Sequence, residues 1–218
     1  MDGSKVALRW CEACRLIPNW ADAVRGDAAA ELESRYAHTV WMIESCYWKE
    51  ELKRIAATVR RLKTPPRWSE RAHCVAERDI MLGAFMVRRL MELHKVSSRS
   101  RDLVMEVFSC PTRGKNVTRM NHHRLEEMYD LGNERREAKK AIYVCNQLIH
   151  AYTSFVARDE TRNWSDVYAV SDFDRNDCIW RIPILEIHRL FKEVGKDYPH
   201  TFRMLYNPQK KDYDVSTN

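Results

Sequence analysis

The chain has 218 residues and a mass of 25.9 kDa, the size of one domain or of one domain with an appendage. Hydrophobic residues make up 44% and charged residues 31%, which predicts a soluble chain that can bury a core. Only 6 glycines and 7 prolines occur, which argues against a many-turned β-sandwich, a collagen-like chain or a glycine-rich linker protein. The net charge of +6 gives a slight general preference for nucleic-acid or other anionic partners.

The chain carries no pattern typical of secretion or membrane insertion. Its N-terminus lacks the uncharged core of a signal peptide, and its longest apolar run, residues 80–87, is far below the roughly 20 residues of a spanning helix. The seven cysteines are odd in number and scattered, as free thiols in a reducing compartment are. We therefore expect a cytoplasmic protein that does not bind membranes.

The pair Cys11 and Cys14 forms a CxxC motif, which is half of a typical zinc site. No second pair follows at ligand spacing, so a zinc ion would have to recruit distant groups such as Cys46 or His38. Ordinary thiols explain the motif more simply. The sequence therefore predicts neither a metal site nor a cofactor.

Two long helices are predicted in the first half of the chain. Residues 28–63 contain no glycine or proline, and their apolar residues recur at helical spacing until Thr64-Pro65-Pro66. Ser69 is the expected N-cap of a second helix that runs to about Lys95. Its middle is apolar nearly all round, which indicates a central helix, and its Gly83 would let another helix approach closely.

The second half of the chain changes pattern at about residue 160. Residues 134–158 have apolar positions spaced by three and four, which predicts a third helix. Residues 166–171 and 178–182 are rich in β-forming residues, which predicts a hairpin, and Pro183 leads into a last amphipathic helix. Residues 96–133 give weaker signals, and the polar tail after Tyr198 is expected to be irregular.

These elements predict a mainly α protein, an up-and-down helical bundle with a small C-terminal β-hairpin and a final helix. Its expected parts are an irregular segment or short helix at 1–26, the bundle at 27–160, and the hairpin, helix and tail at 161–218. Strand is expected only at about 166–183.

Basic residues are concentrated in residues 49–101, which hold 14 Lys or Arg against 6 Asp or Glu. Such a surface binds polyanions in a salt-dependent way, so we consider it a candidate RNA-binding face. The residues chosen for this role are Arg54, Arg60, Arg61 and Lys63. A solvated helix face that keeps the protein in solution is the alternative.

Asn146 and His150 are the candidate catalytic residues. They are four apart in the predicted third helix, so they share a face beside its apolar stripe and can act together on a phosphate or hydroxyl. The alternative is a histidine at the edge of the core whose ring Asn146 or Tyr143 holds, with no chemistry.

The segment Cys145-Asn146-xxx-His150 resembles the Arg-polar-xxx-His motif of the helical HEPN superfamily, with cysteine in place of the arginine. The resemblance implies a helical bundle, a homodimer and metal-independent RNase chemistry, with His150 as general acid or base. Cysteine cannot supply the charge of a guanidinium. Either Arg158 or Arg78 replaces it, or the protein is a non-catalytic RNA binder.

The sequence thus predicts an RNA-directed protein, either a ribonuclease or an RNA binder without catalysis. The alternative is a regulatory module, antitoxin-like or a scaffold subunit, that binds another protein. The surroundings of His150 distinguish the two: an open site with an arginine favours RNA, and a sealed core without one favours the interaction module.

Overall fold

The fold is described from a computed structural model, which covers residues 45–60 and 69–218. The predicted segment 1–26, the first part of the long helix and the CxxC motif lie outside the described residues. The helices are α1 (residues 45–59), α2 (Glu70–Glu92), α3 (Ser98–Arg101), α4 (Leu125–Met128), α5 (Ala141–Ile149) and α6 (Ile184–Lys196). The strands are β1 (Val104–Pro111), β2 (Arg135–Lys140), β3 (Ala151–Arg158), β4 (Trp164–Ser171), β5 (Cys178–Pro183), β6 (Phe202–Asn207) and β7 (Asp212–Thr217).

The prediction of a helical bundle is wrong, because the described residues form an α/β fold around an antiparallel sheet. Five strands lie in the order β2-β1-β5-β4-β3, and β6 and β7 form a separate two-stranded sheet. Strand therefore extends far beyond 166–183. Since β3 pairs with β4, one sheet also crosses the domain boundary expected at residue 160.

The elements with a clear local signal are confirmed. In α2 the Ser69 hydroxyl accepts a hydrogen bond from the Ala72 amide at 3.2 Å, the cap that the sequence predicts. The hairpin of β4 and β5 is present, and α6 begins directly after Pro183. The close approach at Gly83 is present too, because the Phe191 ring of α6 lies against it.

The predicted helix at 134–158 is wrong at both ends, since only α5 is helical there. Before it, β2 is an edge strand whose six residues are nearly all charged, so no alternation marks it. After it, β3 has register shifts between Ala151 and Thr153 and between Val156 and Arg158. Its buried residues, Thr153 and Val156, lie in the regularly paired stretch between these shifts, so they face opposite sides of the sheet, and their spacing of three imitates that of a helix.

The tail after Tyr198 is not irregular, because β6 and β7 pair along their whole length. The hairpin is joined to the rest of the protein through Thr217, whose hydroxyl donates to the Val96 carbonyl at 2.7 Å. Four of its apolar side chains, Phe202, Met204, Tyr206 and Tyr213, are about half exposed.

The core has two parts, one on each face of the large sheet. On one face α2, α5 and α6 cover alternate strand residues such as Met105, Val107 and Ile182. On the other face the segment between β1 and β2 covers Cys110, Val170 and Ile179 with Val117, Met128 and Tyr129. No helix in the described part of the chain has the length and apolar character needed to cross a membrane.

Candidate nucleic-acid interface

An exposed histidine lies beside an arginine at the junction of α2, α5 and β3. His150 is the C-cap residue of α5, and its Nε2 atom is 3.0 Å from Nη1 of Arg88. Arg88 lies on the last turns of α2, which packs against α5. The sequence singled out His150, but the arginine beside it is neither Arg158 nor Arg78.

Two sets of contacts hold this pair in place. Glu92 accepts a hydrogen bond from Nε of Arg88 at 2.7 Å, and this bond holds the pKa of Glu92 below its usual value. The residue therefore stays ionised and orients the guanidinium. On the other side, α5 is attached to the β4–β5 turn, because the Asp174 carboxylate accepts from Tyr143 at 3.1 Å and from Gln147 at 2.5 Å.

The contact between Arg88 and His150 gives the imidazole the acceptor role in their hydrogen bond. A guanidinium only donates hydrogen bonds and stays charged, so Nε2 of His150 must be the acceptor. In this contact the Nε2 lone pair is directed at a permanent cation and not at a hydroxyl group.

The other two motif positions make different contributions. Cys145 is fully buried, and burial raises the pKa of its thiol to about 12, so it is a neutral group in the core. Asn146 is half-buried, and its Oδ1 atom is enclosed without a hydrogen-bond partner among the described residues. Within this part of the chain, no hydrogen bond joins the side chains of Asn146 and His150, although the backbone of α5 places them four residues apart.

A cluster of aromatic and cationic side chains surrounds Tyr152, two residues after His150. We call it the Tyr152 cluster; it consists of Tyr152, Arg119, His122 and Arg175. The Arg175 and Arg119 guanidinium carbons lie 4.7 and 5.9 Å from the Tyr152 ring centroid, and the His122 ring lies edge-on at 5.8 Å. Sequence reasoning missed this cluster because three distant segments contribute to it.

The β-bulge at the start of β3 is what gives Tyr152 its position. Tyr152 is the residue left unpaired between Ala151 and Thr153, and such a residue leaves the alternation of the strand. Its side chain packs on the part of the core that the segment between β1 and β2 covers. The Cα atoms of His150 and Tyr152 are at most about 7 Å apart along the chain, but Arg88 lies on the helical face of the sheet and the Tyr152 ring packs on the opposite face.

The basic block contributes less open charge than its composition suggests. Arg54 is exposed but forms a two-pronged ion pair with Glu51, and Arg60 is exposed. Arg61 and Lys63 lie outside the described residues. Lys49, at the start of the block, is buried: its ammonium group donates to the Lys95 carbonyl at 2.7 Å.

The Arg88–His150 pair and the Tyr152 cluster contain arginine cations, two imidazoles and the Tyr152 ring, but no group of metal ligands. Among residues 45–60 and 69–218, no three His, Cys, Asp or Glu side chains are grouped closely enough to hold a metal ion. The cysteines at 74, 110, 145 and 178 are free thiols. No protein-family model, curated protein or solved structure matches the chain, so the interface is characterised by its own geometry.

Proposed function

We propose that the protein binds RNA without cleaving it, through the Arg88–His150 pair and the Tyr152 cluster, which lie at the start of β3. The observation that carries the proposal is the exposed His150 with its ring nitrogen 3.0 Å from Arg88. In a phosphate-binding site we expect the histidine to be exposed and to lie beside an arginine. In a protein-interaction module we expect the histidine to be buried, with no arginine beside it. The helical bundle that the HEPN resemblance implies is absent from the described residues, so the proposal rests on the geometry of these side chains alone.

Charge and aromatic character both support a nucleic-acid ligand. Arg88, Arg119 and Arg175 stay charged, and phosphates are the groups that such cations bind in RNA; Arg88 and Arg175 each also pair with a carboxylate, whereas Arg119 is exposed. The Tyr152 ring beside Arg119 and Arg175 is the aromatic component that single-strand binding surfaces combine with positive charge. Binding is favoured over cleavage because the His150 lone pair accepts from Arg88.

The test is binding of a fluorescently labelled single-stranded RNA, followed by anisotropy at several salt concentrations. We expect Arg88→Gln to weaken binding and to reduce the log–log salt slope by about 0.7, the contribution of one phosphate contact. Arg203→Gln, on the separate β6–β7 sheet, is the matched control because it makes the same charge change at an exposed position. Equal effects of the two variants, or no binding at low salt, would contradict the proposal.

Cleavage is tested on the same RNA by gel electrophoresis after long incubation. We expect the RNA to remain intact with the wild-type protein. Cleavage that disappears in His150→Ala would show that the imidazole does leave Arg88 to act as an acid or base, and the ribonuclease alternative would then replace simple binding.

The exposed apolar side chains of α2 favour a second copy of the chain as the protein partner. Met81, Leu82 and Phe85 lie at the centre of this helix and are 45%, 44% and 48% exposed. Exposed apolar groups on one helix face are typical of an interaction surface. Glu70 lies in the first turn and Arg89 in the last, so an antiparallel pair of α2 helices brings the end that carries an acidic residue towards the end of the other helix that carries a basic one.

The oligomeric state measured by light scattering tests this dimer. We expect Leu82→Glu to convert the dimer to a monomer, while Leu185→Glu, at an exposed position on α6, leaves it unchanged. A monomeric wild-type protein, or a dimer that survives Leu82→Glu, would exclude α2 as the interface.

A further inference from the structure

The surroundings of the Tyr152 side chain differ from those of an aromatic residue in a hydrophobic core. It is half-buried, its backbone is a bulge, and two guanidinium groups approach its ring. A tyrosine whose only role is packing needs none of these charges. The ring therefore combines a fixed position with a partly open surface.

One of the two arginines is part of the framework. Arg175 lies in the β4–β5 turn, where its guanidinium pairs with Asp172 and its carbonyl accepts from the Tyr129 hydroxyl at 2.8 Å. Nε of Arg175 is enclosed without a partner among the described residues. These contacts keep Arg175 against the ring at 4.7 Å.

The other arginine is open to solvent. Arg119 is exposed, and within the described residues no carboxylate forms an ion pair with it. Its guanidinium is 5.9 Å from the ring centroid, more than an ångström farther than that of Arg175. A ligand can therefore approach the ring beside Arg119 without breaking an ion pair.

On the basis of the proposed RNA binding, we infer that Tyr152 is a stacking position for an unpaired nucleobase, and that the ligand is therefore single-stranded RNA. The flat ring accepts the face of a base, and Arg119 neutralises the phosphate beside that base. In a duplex both faces of each base are covered by other bases, so only an unpaired base can use the ring.

His122 is fixed beside this stacking position. Its ring is nearly perpendicular to that of Tyr152 at a centroid distance of 5.8 Å, and its Nδ1 atom is 3.3 Å from the Thr153 hydroxyl. His122 and Arg175 therefore both occupy space next to the tyrosine ring, and the base must approach from the side that they leave open.

The experiment compares a single-stranded RNA of 12 nucleotides with a duplex of the same length and sequence. The substitutions are Tyr152→Leu, which removes the ring, and Tyr152→Phe, which retains it and is the control. Stacking on one aromatic side chain contributes enough that we expect Tyr152→Leu to weaken single-strand binding by roughly fivefold to a hundredfold. Tyr152→Phe should bind within about twofold of the wild type, and duplex binding should be equal in all three proteins.

A second measurement does not depend on how well Tyr152→Leu folds. A single-stranded RNA that contains 2-aminopurine loses fluorescence when that base stacks, and we expect such quenching with the wild type and with Tyr152→Phe. No quenching, or an unchanged single-strand affinity in a folded Tyr152→Leu protein, would overturn the stacking inference. The RNA-binding proposal would still stand if Arg88→Gln weakened binding, and it would fail separately if the wild type bound neither RNA.

Discussion

A methyl group at Gly83 should destabilise the protein, although alanine is the better helix former. A Cβ atom at this position of α2 would lie 2.4 Å from both Cε2 and Cζ of Phe191, a distance that real side chains do not tolerate. Phe191 on α6 is fully buried, so its ring has no open space to enter. Alanine gains about 1 kcal/mol over glycine within a helix. Overpacking of a core costs about 1–3 kcal/mol, and two ring contacts this short favour the upper end.

The net expectation for Gly83→Ala is a loss of about 2 kcal/mol in the free energy of unfolding. For a chain of this length that corresponds to a decrease in Tm of about 4–8 °C. Urea unfolding followed by circular dichroism measures the free energy directly.

A double-mutant cycle with Phe191→Leu identifies the cause. The smaller leucine leaves room for the new methyl group, so the double variant should be more stable than the sum of the two single changes predicts, by about 1 kcal/mol or more. If Gly83→Ala is as stable as the wild type, or if the two changes are additive, then α2 and α6 do not approach each other as closely as described.

Three further predictions concern buried or paired groups. Burial lowers the pKa of Lys49 from 10.5 to about 8, so the unfolded state binds more protons than the folded state between these pH values. The free energy of unfolding of the wild type should therefore rise across pH 8–10.5, by up to about 3 kcal/mol. Lys49→Met should lack this rise in urea titrations at pH 7.5 and 10, and an equal pH dependence of the two proteins would contradict the prediction. Cys145 is buried and Cys74 exposed, so iodoacetamide followed by mass spectrometry should label Cys74 in the folded protein and Cys145 only after unfolding. Arg181 binds Glu134 through two hydrogen bonds and Asp166 through a third, so Arg181→Lys should lower the free energy of unfolding by about 1–3 kcal/mol, as measured by thermal melting. Arg136→Lys, which changes an exposed ion pair, is the control and should leave the free energy of unfolding almost unchanged.

The sequence predicted the elements whose signals are local. Ser69 marks the start of α2, Pro183 the start of α6, and the β-rich runs at 166–171 and 178–182 are the strands of a real hairpin. Each of these signals depends on the chemistry of a few consecutive residues, so tertiary contacts do not change it.

Two of the strands that were missed, β2 and β3, have patterns that only tertiary structure explains. The charged residues of β2 are acceptable in a strand because it is at the edge of the sheet, and the bulges of β3 disturb its alternation. The hairpin of β6 and β7 was accessible: Tyr213, Val215 and Thr217 alternate with polar residues, and Asn207-Pro208 is a turn signal. The many polar residues after Tyr198 led to the expectation of an irregular tail instead of this hairpin.

The candidate site was predicted in part. His150 was singled out by its spacing from Asn146, yet the helix that justified this choice ends at Ile149. Arg158, expected two helical turns away, is at the far end of β3, about 26 Å along an extended strand from His150. Arg78 pairs with Asp79 instead. The arginine that reaches His150 comes from the packing of α2 on α5, which no local pattern contains.

The strand order has a consequence for how the chain reaches its native state. Strand β5 lies between β1 and β4, so the centre of the sheet is incomplete until residues 178–183 join residues 104–111 across the intervening segment. Pairings between distant segments form slowly, because the entropy of closing a long loop is lost before any contact compensates for it. During synthesis on the ribosome, β1 therefore has an unpaired edge until β5 has emerged, and the cell's chaperones have that interval in which to protect it.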